Sequence, residues 1–318
     1  MKKVFITGIT GFAGSFLAEH LVSLGHDVSG TYISDKSVEY VDAIKDKIRL
    51  HKVNLLEADT VKNIIKEEQP EWVFHLAALT APGLSFDNPT DTMTNNIAAE
   101  IHLFEALRKA DLLASRVLIT SSAEVYGIVA PNDLPIDEDT PLRPTTPYAV
   151  SKIAQDYLGL QYFLSYKMPI VRVRPFNHIG PRQSDAFAIG AFAKKIAMIE
   201  KGKMEPILKV GNTDAKRDFT DVRDMVRAYA LVLENGIPSE VYNIGSGVSH
   251  KIADVLDMML KESTTSITVE TDESLLRPVE NPELICDATK VRDATRWMPV
   301  IPLEQTLKDT LDYWRGIV

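Results

Sequence analysis

Tyr148 and Lys152 stand four residues apart in the run Pro147-Tyr148-Ala149-Val150-Ser151-Lys152. If a helix starts behind Pro147, that spacing puts phenol and ammonium on one face, a single turn apart. A free tyrosine, with a pKa of ~10, is a poor acid at neutral pH, and a cation within a few Å lowers that value by favouring the phenolate. Lys152 is therefore expected to make Tyr148 a usable proton donor and acceptor. A Tyr four residues before a Lys is also common as plain surface decoration, so the meaning of the pair rests on the elements that must position it.

The first of these begins almost at the amino terminus. Val4-Phe5-Ile6-Thr7 is a β-rich run, followed without a break by Gly8-Ile9-Thr10-Gly11-Phe12-Ala13-Gly14 and then by Phe16, Leu17, Leu21 and Leu24 at helical spacing, with Gly25 as a stop. A strand, a glycine turn and a helix make a place where backbone N–H groups and a helix N-terminus receive a pyrophosphate. The glycine order is Gly-x-x-Gly-x-x-Gly, one residue longer at the first step than the commoner dinucleotide fingerprint, and a purely structural turn stays open. Residues 27–33 read as the second strand. Its end carries Tyr32, where an acid would hold the 2′-hydroxyl of NAD or a base the 2′-phosphate of NADP. Lys36 just beyond tips the balance to NADP(H) over NAD(H).

Residues 48–53 read as a third strand with Asn54-Leu55 at its end, where an adenine is flanked, and residues 61–68 as a helix. Residues 72–76 form the next strand, ending in Leu76-Ala77-Ala78, small enough to admit a cofactor or simply to pack tightly. Residues 89–110 carry Met93, Ile97, Ile101, Phe104 and Leu107 at helical spacing and read as a long core-facing helix. Asn96 within it is either a solvated position or a side chain that orders the active-site backbone. Residues 116–120 are the fifth strand, and Ser121-Ser122-Ala123-Glu124 stands at its carboxyl end, the edge where open parallel sheets bind ligands. The strand–helix alternation implies a doubly wound α/β fold with a parallel sheet, onto whose edge Ser122, Tyr148 and Lys152 converge.

Composition sets limits. A chain of 318 residues suits one large α/β unit with an added lobe. A net charge of −9 argues against a sequence-independent grip on nucleic acid or acidic lipid, so any phosphate must be met locally. The one cysteine, Cys286, cannot form an internal disulfide, and no pair or cluster suggests a metal site; a buried, inert thiol is the expectation. The apolar run after Met1-Lys2-Lys3 is too short for a signal peptide and no run approaches a membrane span, so the expected location is the cytoplasm.

Together Gly8, Gly11 and Gly14, Asn54-Leu55, Leu76-Ala77-Ala78, Asn96, Ser122, Tyr148 with Lys152, and Arg174-Pro175-Phe176-Asn177-His178-Ile179-Gly180-Pro181 resemble the extended short-chain dehydrogenases/reductases, the NAD-dependent epimerase/dehydratase family that acts on nucleotide sugars. The resemblance spans nearly the whole chain. It implies a Rossmann-like sheet with a smaller C-terminal substrate-binding lobe, a dinucleotide held by the glycine loop and by the strand-end residues through Pro175, and a homodimer formed through the 89–110 and 148–166 helices. It also implies roles: Lys152 on the nicotinamide ribose, Ser122 on the reacting sugar oxygen, Tyr148 giving or taking the hydroxyl proton as hydride moves.

The runs Phe176 to Gln183 (containing Arg182), Lys209 to Asn212, Arg217 to Asp224 and Leu276-Arg277-Pro278 are similar to those of GDP-4-keto-6-deoxy-mannose reductases, and related GDP-mannose 4,6-dehydratases share much of the pattern. By that resemblance Arg217 and Arg277 grip the substrate diphosphate, Asn177 bonds the same ligand, and a polar loop closes over the nucleotide through Arg277 and Glu280. Arg223, Arg227 and Arg292 read as ordinary ion pairs. Dehydratases of this class carry Thr-Asp-Glu or Thr-Ser-Glu where this chain has Ser122-Ala123-Glu124. Ala123 offers no proton, although Glu124 remains; epimerases acting on UDP-sugars carry Ser-Ala-Thr. Reduction of a keto group is thus favoured, with dehydration or epimerisation as alternatives.

The expected domains are 1–174 for the dinucleotide and 175–318 mainly for substrate, with about 212–245 returning to the main body. Further helices are read at 187–201, 221–234, 251–260 and 303–314, and strands at 169–174, 206–210 and from Val241. The glycine turn Gly245-Ser246-Gly247 lacks the order of a dinucleotide site and reads as structural.

Overall fold

The computed structural model describes residues 1–275 and 281–318. Arg277 and Glu280 lie outside the described residues.

In chain order the first half runs β1 (Lys3–Thr7), α1 (Phe12–Ser23), β2 (Asp27–Tyr32), β3 (Ile48–Lys52), α2 (Ala58–Glu68), β4 (Trp72–His75), α3 (Pro89–Lys109), β5 (Arg116–Thr120), α4 (Pro147–Tyr166) and β6 (Ile170–Pro175). The second half is β7 (Asn177–Ile179), α5 (Ala188–Glu200), β8 (Ile207–Val210), β9 (Lys216–Asp221), α6 (Val222–Asn235), β10 (Val241–Ile244), β11 (Ser249–Lys251), α7 (Ile252–Lys261), β12 (Thr268–Thr271), β13 (Glu283–Leu284), α8 (Thr289–Thr295) and α9 (Leu303–Ile317).

Seven strands form a parallel sheet in the order β3-β2-β1-β4-β5-β6-β10. The order reverses between β1 and β4, the switch point above which doubly wound sheets bind nucleotides. Alternation along the strands sends side chains to two separate cores. Val4, Ile6, Phe74 and Leu118 join Leu17 and Leu21 of α1 and Met225 and Tyr229 of α6. Phe5, Val73, Val117 and Ile119 join Ile65 of α2, Leu103 and Leu107 of α3 and Tyr162 of α4 on the other face. The α/β reading thus holds, with helix boundaries within a few residues of those expected.

Two stretches differ from the sequence reading. Residues 35–47 were assigned no element, yet they form a run of 3₁₀ turns against α1. Val38, Val41 and Ile44 are spaced three apart, the 3₁₀ period, and Val41 and Ile44 are buried. The second is the lobe. There β7 and β13 pair in parallel with β9, and β11 pairs antiparallel to it, while β8 and β12 form a separate parallel pair. Strand β8 is the one expected at 206–210, whereas β7, β11 and β13 span two or three residues each and β9 and β12 are mostly polar, which hides any alternation. Phe192, Ile196, Leu208, Phe219, Leu256, Leu311 and Trp314 close the lobe's own core, so α9 docks as the packing helix it was expected to be. After β9 the chain re-enters the main body at Val222: α6 packs on α1, and β10 adds the seventh strand.

The Gly245-Ser246-Gly247 turn wraps a carboxylate of its own chain. Asp218 accepts hydrogen bonds from the N–H groups of Ser246, Gly247 and Cys286 and from the Ser246 hydroxyl. The anion-binding geometry of the turn is consumed internally. Cys286 is buried beside it, and burial pushes its thiol up.

Candidate active site

The amino end of α1 is built to face an anion. Gly8 has φ +72°, which turns the chain sharply at the end of β1, and a side chain on Gly14 would place its Cβ 2.1 Å from the Gly8 carbonyl oxygen. Helix and strand can approach so closely only through that glycine. The N-cap is Gly11, with no side chain capping the first N–H groups. Those groups, with the helix dipole, are donors for a phosphate.

A cavity of about 830 Å³ opens there, large enough for a dinucleotide beside a second ligand. The wall nearest the amino terminus comes from Gly8, Gly11, Phe12, Ala13 and Gly14, and continues through Leu76, Ala77, Ala78 and Pro175. Ser122, Glu124, Tyr148 and Lys152 line its middle, and Asn177, Arg182 and Arg217 its lobe side. Tyr32, Asn54, Leu55 and Asn96 do not line it. Asn54 instead accepts the N–H of Leu56, and Leu55 is buried with its carbonyl bonded by His102. The uncapped helix end, the glycine cradle and the small Ala77-Ala78 strand end together fit a dinucleotide.

Tyr148 and Lys152 sit in the first turns of α4. Thr146 caps the helix by accepting the Ala149 N–H at 3.0 Å, and Pro147 occupies the first helical position, where its missing N–H costs nothing. Asn96 then ties this turn to the strand ends. Its Oδ1 accepts the Leu79 N–H at 2.8 Å, and its Nδ2 donates to the Ser151 hydroxyl at 2.9 Å, which donates in turn to the Tyr148 carbonyl. Asn96 is thus fully buried and orders backbone on two elements, the second of its two readings. Ser121 fastens β5 to α4 by donating to the Lys152 carbonyl.

Ser122 caps the short turn at Ala123–Tyr126 by accepting the Glu124 N–H at 3.2 Å. Its own proton remains for the Tyr148 phenol, which it faces. Lys152 is buried, donates to the Thr120 carbonyl at 2.8 Å, and has its Nζ 5.9 Å from the Tyr148 ring centre. Burial pulls its ammonium down to about 8, against an opposing push from Glu100. Tyr148 corrects one expectation: its phenol is pushed up, by burial first and by the Glu124 charge, with the Ser122 hydrogen bond opposing. The ammonium faces the Thr120 carbonyl and does not offset that desolvation.

On the lobe side, His178 stacks on Phe12 with ring centres 5.7 Å apart and planes within 5°, joining the glycine loop to β7. Arg182 directs its guanidinium at α1: it pairs with Glu19 at 2.7 Å, donates to Ser15 and lies over Phe16. Arg217 is buried and donates to the Lys216 and Asn281 carbonyls at 2.8 Å. Lys195 lines the cavity and donates to the Lys209 carbonyl, whereas Lys194 pairs with Asp185. Arg223 and Arg227 form the expected ion pairs, with Asp221 and Asp309 and with Asp224. Arg292 instead donates to the Ser246 carbonyl.

Sequence reasoning passed over several neighbours of this site. Ser85 accepts the Tyr148 N–H. Tyr229 of α6 lines the cavity with a buried hydroxyl that has no hydrogen-bond partner among the described residues. Thr7, His75, Glu100 and Gln155 form a polar cluster under Lys152. Each is one polar residue inside an apolar pattern, and only the fold gathers them.

Residues 5–310 match the family model described as GDP-mannose 4,6 dehydratase. The chain is 32% identical over 317 residues to the GDP-6-deoxy-D-mannose reductase of Pseudomonas aeruginosa, covering 100% of this chain and 98% of that protein. It is 28% identical to a GDP-mannose 4,6-dehydratase of Vibrio cholerae, covering 96% and 91%. Among solved structures, that of RMD from Pseudomonas aeruginosa complexed with NADPH superposes with a TM-score of 0.87 at 32% identity and full coverage of both chains. With a family model matched over residues 5–310 and a relative 32% identical over the full chain, the chain belongs to the GDP-mannose 4,6-dehydratase family of nucleotide-sugar enzymes.

Proposed function

We propose that the protein is an NADPH-dependent reductase of the 4-keto group of a nucleotide sugar, converting GDP-4-keto-6-deoxy-D-mannose to GDP-D-rhamnose. Bound NADPH supplies the hydride. Tyr148 donates its phenolic proton to the oxygen that was the carbonyl, Ser122 hydrogen-bonds that oxygen, and Lys152 holds the nicotinamide ribose. The observation that carries the reading is geometric: Ser122, Tyr148 and Lys152 line one cavity with the glycine loop, and the Ser122 hydroxyl faces the Tyr148 phenol.

Ala123 supports reduction over water loss. Among the described residues, Glu124 is the one carboxylate whose charge acts on Tyr148, and the position beside it is a buried methyl. Removing water across C5 and C6 needs a base and an acid beyond Tyr148 and Lys152. The relatives named for reductase and NADPH support the same direction. Arg217 and Asn177 are proposed to hold the substrate, with Arg277 and Glu280 outside the described residues, and the glycine loop to hold NADP(H) in preference to NAD(H). We further propose a homodimer in the cytoplasm. Val150, Tyr157 and Leu164 are exposed at seven-residue intervals along α4, an apolar stripe beside α3.

The test is to mix the purified protein with enzymatically made GDP-4-keto-6-deoxy-mannose and follow nicotinamide absorbance. Loss of absorbance with NADPH, faster than with NADH, is expected. An unchanged trace with both cofactors, together with turnover of GDP-mannose alone, would replace the reading by dehydration.

A further inference from the structure

Lys152 has one face on the cavity and the other on a sealed polar cluster. Glu100, on α3, is fully buried and belongs to that cluster. Its carboxyl oxygens complete no hydrogen bond among the described residues, and the Gln155 amide of α4 leans toward them. His75 of β4 stands with Nε2 4.0 Å from Glu100 and 3.3 Å from the Gln155 amide nitrogen. The Thr7 hydroxyl oxygen accepts the N–H groups of Leu76 and Ala77, both at 3.1 Å, and lies 2.8 Å from His75 Nδ1. Burial and the Lys152 charge hold the imidazole neutral, down at about 3.

The charged or chargeable groups facing Glu100 are thus Lys152 and Asp156 from α4 and His75 from β4. Asp156 is already held by two arginines and His75 is neutral, which leaves the Lys152 ammonium as the cation that answers to Glu100. We propose that Glu100 is a positioning residue that acts through Lys152, a carboxyl sealed behind the ammonium that keeps it charged, and so keeps NADPH held, at alkaline pH. The inference rests on the reading above in assigning Lys152 to the cofactor ribose. Two buried sites this near one another lose their protons as a pair. When the carboxyl ionises beside the ammonium, the ammonium's own loss of a proton is postponed to higher pH. A sealed group is suited to this, because no solvent screens it.

Glu100→Gln keeps shape and polarity and removes the charge. The deciding measurement is the NADPH dissociation constant from nicotinamide fluorescence between pH 6 and 10. The alkaline weakening of binding is expected about one pH unit lower in Glu100→Gln than in the wild type, and back near the wild-type position in Glu100→Asp. Coincident curves for wild type and Glu100→Gln would overturn the proposal. Unfolding in urea supplies a readout free of cofactor. Burial raises the Glu100 carboxyl, so its contribution is full below the ordinary carboxyl range and is lost as pH rises toward the raised value. Glu100→Gln should gain on the wild type as pH rises from 5 to 8, whereas a constant offset would mean that Glu100 does not titrate and would also count against the proposal. Failure to turn over any keto sugar would overturn the assigned reaction and leave both curves to decide this point.

Discussion

Helix α4 carries two buried charges one turn apart, and the protein treats them in opposite ways. Asp156 is fully buried and fully paired: Arg172 reaches one oxygen at 2.6 Å and Arg174 the other at 2.8 Å, and the same arginines go on to the Ser239 carbonyl, the Tyr126 hydroxyl and the Glu138 carbonyl. Lys152 is equally buried and has a backbone carbonyl for its partner, while Glu100 below it completes no hydrogen bond. A buried carboxylate with both oxygens paired has one arrangement and one protonation state, which suits the seam between α4, β6 and the loop before α4. An under-paired cluster keeps its charges responsive to what enters the cavity. The difference separates charge used for the fold from charge used for chemistry.

The sharpest way to break that comparison is Asp156→Asn. It leaves two buried guanidinium groups without their carboxylate, at a cost of about 3–5 kcal/mol. Urea unfolding is expected to show the loss, with NADPH affinity per folded molecule unchanged. A loss under about 1 kcal/mol would mean that the paired cluster is not a structural seam.

The contrast also marks where the sequence was legible. The parallel sheet, the glycine loop and the Tyr148–Lys152 spacing could be read because period, turn chemistry and composition all pointed the same way. Ser122 followed from its place at the end of β5. Asn96 could be read only as a choice, since a polar residue in a helix does not announce that it bonds Leu79 and Ser151 on other elements. Glu100 and His75 were invisible for the same reason: their partners are 25 to 80 residues away in the chain. The expected lowering of the Tyr148 phenol by Lys152 failed because spacing fixes which face a side chain is on and not where its charged end points. The lobe strands β7, β11 and β13 span two or three residues each, too few for a period to show.

Lys152→Met sharpens the comparison from the other side and should have a smaller effect. Burial lowers the ammonium from its ordinary 10.5 to about 8, so the native state binds fewer protons than the unfolded chain between those values, and stability rises with pH across that window. Below pH 8 the wild type carries the whole cost of the buried charge, at most about 3 kcal/mol. The variant is expected to be the more stable protein at pH 7 and to lose that advantage by about pH 10.5, as read from urea midpoints at several pH values. An advantage independent of pH would assign the effect to packing. The same variant should lose reductase activity, because the charge that costs the fold is the one the site uses.

The smallest effect is expected where the two uses of α4 meet, at its cap. Thr146 accepts the Ala149 N–H, which satisfies one of the helix's free donors and fixes the turn carrying Tyr148. Thr146→Ala should cost about 1 kcal/mol of stability. The middle of the helix, where Asp156 and its arginines lie, is held independently and should not notice. The turn is then held by Asn96, Ser85, Ser121 and the Lys152 bond to the Thr120 carbonyl, so the phenol should lose its fixed distance from Ser122. The expected signature is a lower kcat with KM for NADPH little changed, restored by Thr146→Ser, which puts the accepting oxygen back. If Thr146→Ala instead weakens NADPH binding and leaves kcat alone, the cap serves Lys152 and its carbonyl partner more than it serves Tyr148. The division between the two uses of the helix would then have to be drawn one turn later.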